Sequence, residues 1–301
     1  MPRTVSAEPQ AEQSSRGSTA SARWWLTIAV VAALLAAAGW WALRATDTSD
    51  QAGGVLEHVH GLGVEPSTGA LHVGSHYGLF RVDEDAGALA GPISDRVQDF
   101  MGFTVAGPDH FLASGHPGKG QDGPSSLGLI ESTDGGQSWT NRSLAGQADF
   151  HALEYRHGLV YGADAATGDF MVSEDMETWE TRSTGAVFDF AVSPTDPDTV
   201  IATTAEGRAL STDGGRSFAL LENAPLLMLV SWDTQGTVTG LDPVGTAYTS
   251  KDATTFVRAG SLGAQPEALH TDDEGHVYAS VEGGLWRSTD GARTFARYPS
   301  R

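Results

Sequence analysis

The stretch STDGGQSW, residues 132–139, is the most informative part of the sequence because copies of it recur further along the chain. The closest copies are STDGGRSF at residues 211–218 and STDGARTF at 288–295, and shorter ones are SEDMETW at 173–179 and SKDATTF at 250–256. The aspartates at the third position of these copies are 41, 38, 39 and 38 residues apart. A repeat of about 40 residues that carries several short strands is typical of β-propeller blades.

Each copy has the composition of a tight turn. An Asp carboxylate can accept hydrogen bonds from the backbone N–H groups of the turn, glycine supplies positive φ, and the terminal Trp or Phe packs into the sheet. These motifs resemble the Asp-box, or BNR, repeat found in sialidases, in sortilin-type receptors and in bacterial propellers labelled as glycosylhydrolases. The resemblance implies that the box aspartates are structural and not catalytic. They are Asp134, Asp175, Asp213, Asp252 and Asp290.

The segments around the boxes predict an all-β chain. In each unit an inner strand and a second strand precede a third strand that ends at the box, and a fourth strand follows it. The first unit reads HVHGLGVEP, ALHVGSH and GLFRVDED, with Glu84 in the place of the box aspartate. Six such units occupy residues 55–298, so we predict a six-bladed propeller of four-stranded antiparallel blades. Because the first and last units are complete, we expect no strand to be exchanged between the chain ends.

A hydrophobic segment near the N-terminus predicts a membrane anchor. Residues 24–43, WWLTIAVVAALLAAAGWWAL, are uncharged, have the length of one membrane-spanning helix and carry Trp at both ends. Residues 1–23 are polar and more basic than the segment that follows the helix, which favours a disordered cytoplasmic tail. We therefore predict a single-pass protein of the cell membrane, with a linker at residues 44–54 and an extracytoplasmic propeller at 55–298.

The alternative for the same segment is a cleaved secretory signal, with the small residues 36–38 at the cleavage site. Cleavage there would leave Trp40 and Trp41 exposed at a new N-terminus, which favours the anchor. Both interpretations export the rest of the chain. Because the chain has no cysteine, the exported part must be stabilised by its core and not by disulfides.

The charge of the chain restricts its partners. The formal charge of the whole chain is −20. The first 44 residues contain four Arg and two Glu and so carry +2, which leaves −22 on the remainder. Nucleic-acid binding depends on clustered Lys and Arg, which this sequence lacks, so we exclude a nucleic-acid partner. The remaining partners are the membrane, through the helix, and a small ligand, a glycan or a partner protein for the propeller.

Seven of the ten histidines lie between residues 58 and 151, and the repeat alignment places five of them together. Two columns of polar residues emerge, one at the start of the inner strand and one at the end of the second strand. Because these strands are antiparallel, both columns lie at the same edge of the blade and face one mouth of the channel, opposite the boxes. The candidate metal or ligand residues are His58, His60, His76, Met101, His116 and His151. The candidate carboxyls of the same cluster are Asp99, Asp149 and Asp164.

Such a cluster favours a transition metal as the ligand. Imidazole suits zinc and copper, and the thioether of Met101 favours copper. Each histidine taken alone is more often a hydrogen-bonded structural residue, so the argument rests on their convergence. The leading hypothesis is a sensor, carrier or assembly factor that binds a transition metal, copper or zinc, or a small ligand at the channel mouth.

Two other functions stay open at this point. The Asp-box resemblance implies glycoside hydrolysis, whose two carboxyls would come from Asp99, Asp149 or Asp164. The resemblance to sialidases also implies a triad of arginines, one of which follows an aromatic residue and precedes Ile-Pro. The nearest match, Phe80-Arg81-Val82, lacks the proline and lies on a third strand, and we expect no Arg on the inner strands. A true sialidase is therefore disfavoured. The third possibility is a propeller that binds a protein or a glycan without catalysis.

Overall fold

Six antiparallel sheets of four strands each form the propeller, which confirms the predicted fold class. The computed structural model describes residues 56–94, 97–222 and 225–299. The predicted tail, helix and linker at residues 1–54 lie outside the described residues. Within the described ranges, no helix has both the length and the hydrophobicity needed to span a membrane.

Each blade contains four strands in chain order. The strands of the first three blades are β1 to β4 (Val59–Val64, Leu71–Ser75, Gly78–Asp83, Ala88–Ala90), β5 to β8 (Asp99–Gly107, His110–His116, Leu129–Ser132, Thr140–Ser143) and β9 to β12 (Phe150–Arg156, Leu159–Asp164, Asp169–Ser173, Glu180–Thr184). The strands of the last three are β13 to β16 (Val187–Val192, Val200–Thr204, Gly207–Ser211, Ala219–Leu220), β17 to β20 (Leu229–Trp232, Val238–Leu241, Thr246–Ser250, Val257–Ser261) and β21 to β24 (Ala268–Thr271, Val277–Val281, Gly284–Ser288, Ala296–Arg297).

The first strand of every blade lies innermost and contacts the first strands of the two neighbouring blades. The contact between β1 and β21 closes the ring, and the sheets of both end blades consist of consecutive strands, as expected from the complete terminal units. At this closing junction Tyr298 of blade 6 donates a hydrogen bond to Glu84 of blade 1. Glu84, which stands where other blades carry the box aspartate, therefore joins the first blade to the last.

Glycines on the inner strands let adjacent blades approach closely. A β-carbon at Gly61 would lie 2.7 Å from the Cβ of Phe103, and one at Gly102 would lie 2.6 Å from the carbonyl oxygen of Phe150. Phe150 is itself fully buried and stacks on Trp179 with ring centroids 4.8 Å apart. A larger side chain at either glycine would push the blades apart, because the interior is close-packed.

Polar side chains on four inner strands accept a backbone hydrogen bond from the inner strand of the next blade. These acceptors satisfy N–H groups that face the channel and have no partner in their own sheet, so they join the blades around the ring. The acceptor and donor pairs are Glu154 with Val192 (2.9 Å), Asp189 with Val230 (2.8 Å), Ser231 with Thr271 (2.9 Å) and His270 with Val64 (3.4 Å).

The five box aspartates occupy turns between the third and fourth strands. Asp134 shows the shared pattern: its carboxylate accepts hydrogen bonds from the Ser132 hydroxyl (2.8 Å) and from the backbone N–H of Ser138 (2.9 Å). Asp175, Asp213, Asp252 and Asp290 likewise accept hydrogen bonds from the preceding serine and from backbone N–H groups of their own loops. The Gly135 N–H donates to the carbonyl of Asp109 in the loop between β5 and β6. The boxes therefore lie on the face of the propeller opposite the ends of the second strands.

Replacing Ser132 with alanine should destabilise the propeller by about 1–3 kcal/mol, because a buried donor then loses its acceptor. The Ser132 side chain is buried, and its hydroxyl accepts from the Gly136 N–H at 2.8 Å. Ser138→Ala is the matched control, since the Ser138 hydroxyl is exposed and donates to the carboxylate of Asp134 in the same loop. Urea unfolding of both variants checks the prediction, and equal losses for the two would contradict it.

Candidate functional site

The two predicted polar columns lie side by side at one mouth of the channel. In blade 1 Val59 pairs with Ser75, directly before His76, and in blade 2 Asp99 pairs with His116. In blade 3 the start of β9 likewise pairs with the end of β10. The starts of the inner strands and the ends of the second strands therefore share one edge in blades 1 to 3.

His58 differs from its expected position on the first strand. It precedes β1 and adopts a left-handed backbone with φ of 52°, so it is not part of an extended strand. The expectation that the segment HVHGLGVEP forms the inner strand from its first residue, His58, is therefore wrong at that residue. The left-handed residue and a bulge between Val59 and Gly61 still bring the two rings together, stacked with centroids 6.5 Å apart. For a residue other than glycine, this backbone conformation is uncommon and costs energy.

His58, His60 and His76, with Asp99, form what we term the blade 1 histidine group. The Nε2 atoms of His60 and His76 lie 3.2 Å apart, and the His58 ring centroid lies 5.2 Å from that of His76. Nδ1 of His76 donates to the Asp99 carboxylate of the next blade at 2.5 Å. Because this nitrogen carries the proton in the neutral ring, the lone pair of His76 is on Nε2 and faces His60.

His60 is neutral at pH 7. Burial and, next, the charge of His76 lower the pKa of His60 to about 4, although Asp99 acts in the opposite direction. A neutral imidazole is the form that binds metal ions, because a protonated nitrogen has no lone pair to offer. His60 can therefore bind a metal at neutral pH without a net loss of a proton from the ring, once the proton on Nε2 that is donated to His76 has moved to Nδ1.

A second group lies at the junction of blades 2 and 3 and comprises His116, Asp149 and His151. Asp149 Oδ2 lies 3.0 Å from Nε2 of His151 and 3.7 Å from Nε2 of His116. Burial is the largest single influence and raises the pKa of Asp149, but the hydrogen bond from His151 and the charges of the neighbouring histidines together outweigh it, so the net shift is downward and Asp149 is ionised at neutral pH. We call this set the blade 2–3 group.

Two candidate residues stand apart from these groups. Asp164 is buried and accepts hydrogen bonds from the backbone N–H of Asp149 (2.9 Å) and from the Thr167 hydroxyl (2.6 Å), so its carboxylate stabilises a turn. Met101 is partly buried on the bulge of β5 between Phe100 and Gly102. Within the described ranges it takes part in none of the hydrogen bonds that connect the histidines.

The blade 1 histidine group contains a pair of donor atoms at a suitable spacing for a metal. Two ligands of a tetrahedral zinc ion with Zn–N distances of about 2.0–2.1 Å lie roughly 3.3 Å apart. The 3.2 Å between Nε2 of His60 and Nε2 of His76 matches that spacing. In the described part of the chain, however, no three His, Asp or Glu side chains already converge on one point as a metal site requires. A third ligand would have to move in, and the exposed His58, whose ring centroid lies 5.2 Å from that of His76, is one imidazole within reach.

Carboxyl groups inside the channel were missed by the sequence reasoning. The channel has a volume of about 680 Å³, and Glu154, Arg156 and Asp189 are among the residues that line it. Burial raises the pKa of Asp189 to about 7, although the N–H groups of Val230 and Phe190 oppose the shift. Burial also raises the pKa of Glu154, opposed mainly by Arg156. The expectation that inner strands carry no arginine is wrong, since Arg156 ends β9.

Comparison with known proteins supports the fold alone. No family model and no curated protein matches the sequence. A gluconolactonase from Xanthomonas campestris is similar in structure, with a TM-score of 0.61 at 13% identity, over 76% of this chain and 85% of that one. A GH74 xyloglucanase from the same organism gives a TM-score of 0.54 at 14% identity, over 84% of this chain but only 46% of the enzyme, so this chain spans about half of that enzyme's length. A chain of the nidogen–laminin complex gives 0.54 at 11% identity, over 72% of this chain and 88% of that one. At these identities the shared property is the β-propeller.

Proposed function

We propose that this protein binds a transition metal ion, zinc or copper, at the blade 1 histidine group. The observation that carries the proposal is the 3.2 Å separation of Nε2 of His60 and Nε2 of His76, with the other nitrogen of His76 bonded to Asp99. Histidines that bind metals usually donate their second N–H to a carboxylate, which fixes the ring and raises its basicity. The ion would replace the hydrogen bond between the two rings, and His58 would turn inward as a third ligand.

The cellular context of this activity is also a proposal. We infer an Asp-box propeller that residues 24–43 anchor at the outer side of the membrane. This propeller would act as a metal sensor, carrier or assembly factor, with its channel mouth in the extracytoplasmic space. The five serine and aspartate turns with their shared hydrogen bonds support the Asp-box assignment. The apolar segment with Trp at both ends supports the anchor.

A metal titration tests the proposed site. The full-length chain, stripped with a chelator, should bind Zn²⁺ or Cu²⁺ tightly in calorimetry at pH 7, and His60→Ala should weaken this binding by at least about 100-fold, more than the loss of an outer-shell partner costs. His157→Asn is the matched control, because His157 lies in the loop between β9 and β10, bonds the Ser193 carbonyl and has a left-handed backbone that Asn tolerates. Failure of the wild-type chain to bind either ion rejects the proposal.

Glycoside hydrolysis is the second candidate function, and Asp189 is the observation that favours it. A carboxyl that stays partly protonated near neutral pH can act as a general acid, and burial raises the pKa of Asp189 to about 7. Of the carboxyls expected from the sequence, Asp99 binds His76 and Asp149 binds His151. Assay of the full-length chain on a panel of glycans that includes xyloglucan tests this candidate.

A further inference from the structure

The blade 2–3 group repeats the plan of the blade 1 histidine group one junction further along the ring. His76 and His116 stand at the ends of the second strands of blades 1 and 2, and Asp99 and Asp149 stand at the starts of the inner strands of blades 2 and 3. Each junction therefore brings an imidazole of one blade to a carboxylate of the next. At the first junction the two groups are hydrogen-bonded, whereas at the second His116 Nε2 and Asp149 Oδ2 stay 3.7 Å apart.

The gap between His116 and Asp149 has the charge pattern of a cation site. Nδ1 of His116 donates to the carbonyl of Ser125 at 2.7 Å, so Nε2 is the nitrogen that faces Asp149. The 3.7 Å between Nε2 and Oδ2 of Asp149 is too long for a hydrogen bond. A positive charge, carried by a proton on Nε2 or by a metal ion in the gap, would stabilise the nitrogen and the carboxylate in this arrangement. Nitrogen and oxygen ligands of one zinc ion are about 3–4 Å apart, which includes this separation.

An unpaired oxygen of Asp149 gives independent support. Oδ1 of Asp149 is buried and has no hydrogen-bond partner among the described residues, whereas Oδ2, the oxygen that faces His116, accepts from Nε2 of His151 at 3.0 Å. Buried polar atoms without partners are rare in folded proteins, and an ionised carboxylate is the most costly kind. A cation bound to Asp149 would satisfy this carboxylate, with His116 and His151 as nitrogen ligands. Because no three such side chains of the described residues already converge on one point, these groups would have to draw together around the ion, and the proton on Nε2 of His151 would have to leave that nitrogen.

We propose that His116, Asp149 and His151 form a second metal subsite, selective for a divalent transition ion such as Zn²⁺, so that the channel mouth holds two ions. The inference rests on the proposed function in that both subsites belong to one metal-binding mouth, but each has its own ligands. His151 lies close enough to His60 for its charge to lower the pKa of His60, so the two ions would interact across the mouth. Two imidazoles and one carboxylate suit zinc, copper or another ion of this class, and not calcium or magnesium.

Counting bound zinc tests the second subsite. The full-length chain is stripped, incubated with Zn²⁺ alone, freed of excess metal by gel filtration and analysed by atomic emission. We expect two ions per wild-type chain, one in His116→Ala, one in His76→Ala and none in the double variant. Asp149→Asn, which keeps the shape of the side chain but removes its charge, should also retain one. The control His157→Asn should retain two.

Each other result has a definite meaning. One ion in the wild type that is lost in His76→Ala but kept in His116→Ala overturns the second subsite and leaves the proposed function intact. One ion that is lost in His116→Ala but kept in His76→Ala supports the second subsite and rejects the blade 1 site. To guard against a variant that does not fold, the nitrogen resonances of His116 in the wild-type chain are followed by NMR. Nε2 of His116 should shift on addition of Zn²⁺, and an unchanged resonance overturns the proposal.

Discussion

His76→Ala is expected to weaken Zn²⁺ binding at the blade 1 histidine group by at least about 100-fold, the largest loss among single substitutions there. The Nε2 lone pair of His76 points at His60, and the hydrogen bond from Nδ1 to Asp99 holds the ring in place before any ion arrives. The variant loses a ligand, and it also loses the hydrogen bond through which Asp99 fixes the orientation of that ligand. Asp99→Asn removes the charge of that outer partner but keeps an oxygen acceptor for the His76 N–H, so it should cost no more than about 10–100-fold.

Competition with a chromophoric chelator at pH 7 measures both affinities. His157→Asn, on the other face of the propeller, should bind like the wild type. The blade 2–3 group is expected to hold an ion of its own. The affinities compared are therefore those of the binding step that is weakened in His76→Ala. Wild-type affinity in His76→Ala contradicts the assignment of this histidine as a ligand. A loss in Asp99→Asn that equals the loss in His76→Ala would instead make Asp99 a direct ligand.

Asp189→Asn is expected to stabilise the propeller at pH 8 by a few kcal/mol and to leave its stability nearly unchanged at pH 4. Burial raises the pKa of Asp189 to about 7 from 3.8 in the unfolded chain, so the folded state binds the extra proton between these values. Stability therefore falls as the pH rises from about 4 to 7, and the deficit is constant above pH 7. Each pKa unit corresponds to about 1.4 kcal/mol, so this shift is large enough to measure. Asparagine keeps an oxygen acceptor for the Val230 N–H but has no proton to lose.

Urea unfolding of the wild type and Asp189→Asn at pH 5, 6, 7 and 8 checks this result, since the titrations of all other groups are common to both proteins. Asp189→Ala serves as the comparison: it leaves the Val230 N–H without its acceptor and should destabilise by about 1–3 kcal/mol at pH 5, where the wild-type carboxyl is protonated. A difference between Asp189→Asn and the wild type that is the same at every pH would show that the Asp189 carboxyl titrates normally in the folded state.

The fold was predictable because the repeated motif fixes the boundaries of each blade. Asp134 and Asp213 mark the ends of third strands in blades 2 and 4, and the strands between successive boxes follow in order. Antiparallel pairing then places the end of one strand beside the start of another, so the proximity of His60 and His76 was predictable from the sequence. The sequence signal was strong because five of the six units carry the motif independently.

The partners of the site residues could not be predicted, since they depend on contacts between blades. The hydrogen bond of His76 to Asp99 crosses a junction whose geometry no single blade determines. His58 was misplaced because its left-handed backbone is a local exception to the strand pattern. Asp189 was overlooked because the alignment compared one column of the inner strand, and its acceptor role appears only when β17 lies beside β13.

The pairing of Glu84 with Tyr298 has a consequence for how the ring comes apart. Five of the six junctions between described blades are crossed by the polypeptide, whereas the junction of blades 6 and 1 is held only by noncovalent contacts between the chain ends. Thermal fraying should therefore begin there, and the amide of Val64, which donates to His270 across this junction, should exchange its hydrogen for deuterium before the equivalent amides elsewhere in the ring. We therefore expect the closed ring to open first at this one junction, while the covalently connected blades stay together.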